Sequence, residues 1–263
     1  MSAFVAELKH HYGPQVHIAQ DPSLSAWLAR LCTPECRQPE INDLVERLYA
    51  ALAQSFASRE LPREKITIPT RMTASHPDQK LTTEVIAPRT RIVTVNLARA
   101  GTFPSHVCHH MFNQLLDPES CRQDHILASR MTDDREQVTG AHLGSAKIGG
   151  EIDGAYVVVP DPMGATGNTI VSALEHYKQR VGGRAAKFAA LHLIVTPEYI
   201  KRVTEAHPDL IVYALRLDRG LSPAEVLKCV PGERWSEERG LNDKQYIVPG
   251  GGGFGEIMNN SWI

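Results

Sequence analysis

The chain has no run of 18 apolar residues, so it offers no candidate for a membrane-spanning helix. It also lacks an excess of charge of either sign: 30 Asp and Glu against 28 Lys and Arg leave a net charge of −2. That balance gives no general reason to expect nucleic acid or a membrane surface as a partner. Cysteine is sparse and odd in number (Cys32, Cys36, Cys108, Cys121, Cys229), and the opening residues MSAFVAELKHHYG lack the apolar core of a signal peptide. The expected setting is therefore reducing and cytoplasmic. Cys32-x3-Cys36 has no second pair to complete a zinc site, so no metal site built by the chain itself is expected. No internal repeat is evident.

What is present points to one α/β domain spanning 1–263, because 263 residues with 42% hydrophobic content can bury a substantial core. Residues 1–62 read as helical: Ile41, Leu44, Val45, Leu48, Leu52 and Phe56 recur at helix spacing, and Asp21-Pro22 opens a second helix carrying Leu24, Trp27, Leu28 and Leu31. Trp27 reads as a core residue. Ile66–Ile68 is a short strand, and 69–83 reads as an exposed arm or loop. From 91 to 217 strands alternate with helices. The strands fall at 92–97, 125–129, 155–159, 188–195 and 210–217, and the helices near 104–116, 168–181 and 197–206. Such alternation implies a parallel sheet covered on both faces, with ligands at the carboxyl ends of the strands. Residues 218–263 form a polar closing segment that ends in the run Gly250-Gly251-Gly252-Gly253. Successive glycines weaken regular structure, and here they suggest backbone that approaches a ligand closely.

The most informative stretch is 155–169, AYVVVPDPMGATGNT. Tyr156–Val159 make a buried-strand signal, Asp161 follows, a small-residue loop runs from Gly164 to Thr169, and a helix opens at Ile170. A strand, a flexible loop and a helix N-terminus make an anion site, because backbone N–H groups and the helix dipole converge on it. Thr166 and Thr169 add hydroxyl donors, and Asp161 is suited to accept hydrogen bonds from sugar hydroxyls. The expected ligand is a phosphorylated sugar. The loop has no Lys of a nucleotide P-loop, and its glycines do not fit the dinucleotide fingerprint.

This loop resembles the phosphoribosyl-pyrophosphate (PRPP) loop of type I phosphoribosyltransferases. Asp161-Pro162-Met163-Gly164-Ala165-Thr166-Gly167-Asn168-Thr169 is similar to its form in the uracil phosphoribosyltransferase family, where one acid precedes Pro-Met and Ala-Thr-Gly. Arg99-Ala100-Gly101 resembles the family's Arg-Ala-Gly, Arg130 lies where a second arginine is followed by acids, and Tyr246-Ile247-Val248-Pro249-Gly250 resembles its closing pattern. The resemblance implies a type I phosphoribosyltransferase fold: a parallel sheet flanked by helices, with N-terminal helices (1–62), a core (91–217) and a C-terminal hood (218–263). It further implies transfer of phosphoribose from PRPP to uracil, giving uridine monophosphate and pyrophosphate in pyrimidine salvage. Magnesium would be carried with PRPP, and the assembly would be a homodimer or larger.

Under that resemblance Asp161 and Arg99 are the catalytic pair, and PRPP is held by Arg99, Arg130 and the run from Asp161 through Pro162, Met163, Gly164, Ala165, Thr166, Gly167 and Asn168 to Thr169. The base is read by backbone at Ile247, Gly252, Gly253 and Phe254, with Gly255 and Glu256 completing the motif. Two departures stand out: Gly253 replaces an Asp, and Ile257 an Arg. About twenty extra residues, near 221–240, fall where the hood is built. These departures keep two alternatives open, transfer to another base and a non-catalytic PRPP- or nucleotide-binding role.

Overall fold

The structure is a computed structural model; it describes residues 6–132 and 138–261, and the side chains of 128–143 lie outside that description. At its centre is a sheet of eight strands. In spatial order these are β1 (Val16–Ile18), β10 (Leu210–Leu217), β9 (Lys187–Val195), β7 (Tyr156–Pro160), β4 (Ile92–Ala98), β5 (Cys121–Thr132) and β6 (Val138–Lys147), with the two-residue β8 (Met163–Gly164) pairing to the end of β9. All pairings are parallel except β5 with β6. The 92–97, 155–159, 188–195 and 210–217 expectations match four of these strands within a residue or two. The 125–129 expectation captures only the middle of β5.

The helical reading of 1–62 needs correction. Helices occupy Pro22–Leu31 (α1) and Glu40–Glu60 (α2), but Val16–Ile18 is a strand that pairs with Val212–Ala214 at the sheet edge. Three residues are too few to show a period, and His17 breaks the apolar run, so only the tertiary partner makes this segment a strand. Where the helices do form, the local signals suffice. Asp21 Oδ1 accepts from the N–H groups of Ser23 and Leu24, and Pro22 opens α1. Ile41, Leu44, Val45, Leu48, Leu52 and Phe56 are all buried along α2, each worth about 1.5–3 kcal/mol of transfer free energy. Trp27 is a second correction: it is 37% exposed, with the Arg47 guanidinium 5.6 Å from its ring centroid.

α1, α2 and α3 (Thr102–Leu115) cover one face of the sheet in a single apolar cluster. α4 (Asn168–Arg180) and α5 (Pro197–Ala206) cover the other. The connection after β4 thus packs on the opposite face from the one after β7, although β4 and β7 are neighbours. A crevice opens between their carboxyl ends, the place where open α/β sheets bind ligands. Outside the sheet, β2 (Arg63–Ile68) and β3 (Leu81–Ile86) form an antiparallel hairpin, with Ile68, Met72 and Leu81 exposed at 41%, 59% and 46%. This is the expected arm, extended by a strand on each side. Among the described residues no helix is long and apolar enough to cross a membrane.

Candidate active site

A cleft of about 870 Å³ opens at the β4–β7 crevice. Its first wall is the turn after β4, which carries Arg99. Gly101 lets this turn lie close to β7: a Cβ there would come 2.8 Å from the Leu97 carbonyl oxygen and 2.9 Å from that of Pro160. The Arg99 guanidinium donates from Nη2 to Glu256 Oε1 at 2.9 Å and from Nη1 to Ser261 Oγ at 3.0 Å and Ser261 O at 3.2 Å. Its Nε–H and second Nη2 N–H bond no described residue and stay available to a ligand.

The floor is the loop from Asp161 to Thr169. Asp161 follows β7, its N–H donates to the Leu191 carbonyl at 3.0 Å, and its Oδ1 accepts from the Met163 N–H at 3.1 Å. Met163–Gly164 pairs with Ile194–Val195, and Thr196 pins the next turn by donating its N–H to Gly164 O (3.1 Å) and its Oγ1–H to Ala165 O (2.7 Å). Gly167 then takes φ +83°, a left-handed conformation natural to glycine, and a Cβ there would approach Val203 Cγ1 to 3.0 Å. Gly167 at the N-cap has no side chain to cap α4; the Asn168 N–H donates over a long 3.5 Å to Thr166 Oγ1, and the first-turn residues Asn168 to Ile170 border the cleft.

Beneath the loop lies a buried pair that sequence reasoning did not single out. His192 is fully buried, with Nδ1 2.6 Å from the Asp161 carbonyl oxygen and Nε2 2.5 Å from the Tyr199 hydroxyl. A carbonyl only accepts, so Nδ1 carries the proton and Nε2 accepts from Tyr199. Burial pulls the His192 pKa down to about 4, against the opposing effect of the carbonyl contact, and keeps the ring neutral. Tyr199 itself lines the cleft. A lone His in an apolar strand carries no local mark of this role; only the β9–α5 geometry supplies it.

The opposite wall is the C-terminal segment. Asp218, 2% exposed, is held by both Nε (2.6 Å) and Nη2 (2.8 Å) of Arg216, and its Oδ2 accepts the Gly250 N–H at 2.7 Å. Arg216 Nη2 also donates to Gly250 O at 2.8 Å. The glycine run is therefore tethered to the end of β10. Gly252, at φ +86° with nothing within 4 Å of its Cβ position, exposes bare backbone to the cleft.

The structure gathers Arg99, Asp161, Met163, Ala165, Thr166, Gly167, Asn168 and Thr169 around one cleft with Ile247, Gly252, Gly253 and Phe254. Pro162 and Gly164 lie below it, their carbonyls accepting from β9 and Thr196 rather than facing the opening. Arg130 is on β5, and its side chain is outside the described residues. None of residues 221–240 lines the cleft. That insertion packs against the N-terminal segment and α5. Glu238, 1% exposed, accepts from Arg219 Nη1 (2.7 Å), Tyr12 Oη (2.5 Å) and the Gly232 N–H (3.0 Å), and Trp235 Nε1 donates to Pro197 O at 3.0 Å. Among the described residues no three His, Cys, Asp or Glu side chains converge as a metal site.

With this geometry in hand, the comparisons decide the family. The sequence model of uracil phosphoribosyltransferase matches residues 18–232. The chain belongs to the uracil phosphoribosyltransferase family. It is 27% identical over 245 residues to a uracil phosphoribosyltransferase of Staphylococcus epidermidis, covering 93% of this chain and 97% of the relative. It is 30% identical over 242 residues to one of Streptococcus mutans, covering 92% and 96%. A shorter match to the Agrobacterium fabrum enzyme of the same name is 38% identical over 107 residues, 41% of this chain and 40% of that one. Among solved structures, the AQ2163 protein from Aquifex aeolicus superposes with a TM-score of 0.68 at 20% identity, covering 92% of this chain and 97% of the other. The fold is that of a type I phosphoribosyltransferase. The family match stops before the glycine run, so the tail enters the site on its geometry.

Proposed function

We propose that the protein transfers the 5-phosphoribosyl group from PRPP to uracil, giving uridine monophosphate and pyrophosphate. The observation that carries this is the convergence in one cleft of a helix N-terminus with its small-residue loop, a carboxylate at Asp161, a guanidinium at Arg99 and bare backbone at Gly252. Each suits one part of the substrates. The 165–169 loop takes the 5-phosphate, Asp161 the ribose hydroxyls, and Arg99, with Arg130, the diphosphate, whose oxygens an arginine fork binds in pairs. The base lies against 247–254, where backbone amides are matched to uracil carbonyls and would be left unpaired by a ligand lacking them.

In the reaction the bond from C1 of the ribose to the pyrophosphate oxygen breaks, the oxygen keeping the electron pair, as uracil N1 bonds to C1 and releases its proton to water. Positive charge develops on the sugar, and the chain contributes alignment and charge management. The donor set fits magnesium that arrives on the diphosphate, since this ion prefers water and phosphate oxygens with one or two carboxylates. Asp161 is the residue placed to meet its hydration shell, and the bound ion would neutralise the leaving group.

Incubation with PRPP, Mg²⁺ and uracil should release pyrophosphate and uridine monophosphate in equal amounts. No product at high enzyme concentration would refute uracil transfer. The Gly253 departure favours a second reading, transfer to another base, and a panel of pyrimidines and purines in the same assay would reveal it. Binding of PRPP without turnover on any base would establish a non-catalytic role instead. The five thiols, all unpaired, support a cytoplasmic setting. The exposed arm supports a homodimer or larger assembly, which light scattering of the purified protein would test.

A further inference from the structure

Gly253 is a glycine without a conformational reason to be one. Its φ of −83° and ψ of 93° suit any residue. What occupies the space beside it is the Glu256 carboxylate, carried by the short helix α6 (Phe254–Ile257). A Cβ built on Gly253 would overlap Glu256 Oε2, and its three nearest atoms all belong to that side chain. The room vacated at 253 is thus filled by a carboxylate delivered from one turn further along. Glu256 keeps 32% side-chain exposure and borders the cleft. Arg99 fixes its orientation by binding Oε1, whereas Oε2 has no partner among the described residues.

We propose that Glu256 is the specificity-determining residue for the base: Oε2 accepts a hydrogen bond from an N–H on the base edge, and Arg99 aims it. This rests on the phosphoribosyl-transfer reading above. A carboxylate accepts and cannot donate when ionised. With backbone N–H groups of the glycine run meeting the two carbonyls, as the transfer reading has it, Oε2 would complete a site for an acceptor–donor–acceptor edge. Uracil presents that edge through O2, N3–H and O4. Cytosine presents a lone pair at N3, which would face the carboxylate unpaired.

The test compares kcat/KM for uracil and cytosine at saturating Mg²⁺–PRPP in the wild type, Glu256→Gln, and the relocated pair Gly253→Asp with Glu256→Gly. Loss of a hydrogen bond to a charged group weakens binding about tenfold or more, so Glu256→Gln should lower kcat/KM for uracil by at least that factor. Its amide also offers an N–H to cytosine N3, so the uracil-to-cytosine ratio should narrow by at least tenfold. The relocated carboxylate should restore the preference. If Glu256→Gln lowers both bases equally, or leaves the ratio unchanged, the proposal is overturned and Glu256 only positions Arg99. If the relocated pair misfolds in a thermal melt, the isosteric Gln variant decides by itself. A wild type that turns over no base overturns the transfer reading and this proposal together, whereas normal wild-type turnover with an unmoved ratio overturns this proposal alone.

Discussion

Acidification should destabilise this protein through His192 before its surface carboxylates protonate. The ring is neutral and fully buried under the anion loop, and its pKa falls from 6.5 to about 4 on folding because burial disfavours the charged form. The folded state therefore binds this proton less tightly than the unfolded chain. Stability from this group is complete above pH 6.5 and is lost as the pH falls toward 4. Integrating the two titrations gives a loss of about 1 kcal/mol at pH 5.5 and about 2–3 kcal/mol at pH 4.5. Protonation would also remove the lone pair that accepts from Tyr199, so the loss reaches a residue lining the cleft. Urea unfolding from pH 7.5 to 4.5, wild type against His192→Gln, isolates the group because the amide does not titrate. The stability difference between the two proteins should shift by about 2–3 kcal/mol in the variant's favour across that range. A constant difference would refute the assignment, as would an NMR titration in which the His192 ring of the wild type gains its proton above pH 6.

Three further outcomes follow from the packing around the cleft. Gly164→Val would set its Cβ 2.8 Å from Val195 Cγ1 and 3.1 Å from the Tyr199 ring, and overpacking of this kind costs about 1–3 kcal/mol, seen as a lower Tm in calorimetry. Arg216→Met leaves the buried Asp218 carboxylate without its cation while it still holds Gly250; chemical unfolding should show a loss of about 3 kcal/mol, and KM for the base should rise as the glycine run loses its tether. Tyr12→Phe takes one of three partners from Glu238 and should cost about 1–3 kcal/mol in the same unfolding assay, yet leave KM for both substrates within twofold, because residues 221–240 do not border the cleft. A changed base KM in Tyr12→Phe would show that the insertion does reach the site.

Much of the site was legible in linear order because its chemistry is local. An anion loop needs a strand, small residues and a helix start in immediate succession, and Tyr156 to Ile170 supply them within one short segment. Gly167 at φ +83° and Gly252 at φ +86° show why glycine stands there. Arg99 was legible only through the resemblance of Arg99-Ala100-Gly101 to the family's Arg-Ala-Gly, since a strand-end arginine taken alone reads equally well as a surface ion pair. Tyr199 and His192 were not legible. They belong to the site only because α5 folds back over β9 and brings a hydroxyl and an imidazole beneath the loop, and nothing in an apolar strand marks one His for that task.

The local pattern alone thus determined the alternation of strands and helices and the small-residue loop between β7 and α4, because periodicity and turn chemistry act over a few residues. Tertiary structure decided what depends on distant partners. Val16–Ile18 became a strand because β10 offered an unpaired edge, which outweighed the helical surroundings. The insertion at 221–240 was turned away from the cleft by the buried Glu238 carboxylate, which requires Arg219 and Tyr12 around it. The carboxylate beside Gly253 came from Glu256 rather than from position 253, because the short C-terminal helix and the Arg99 guanidinium after β4 set where a charged oxygen comes to rest.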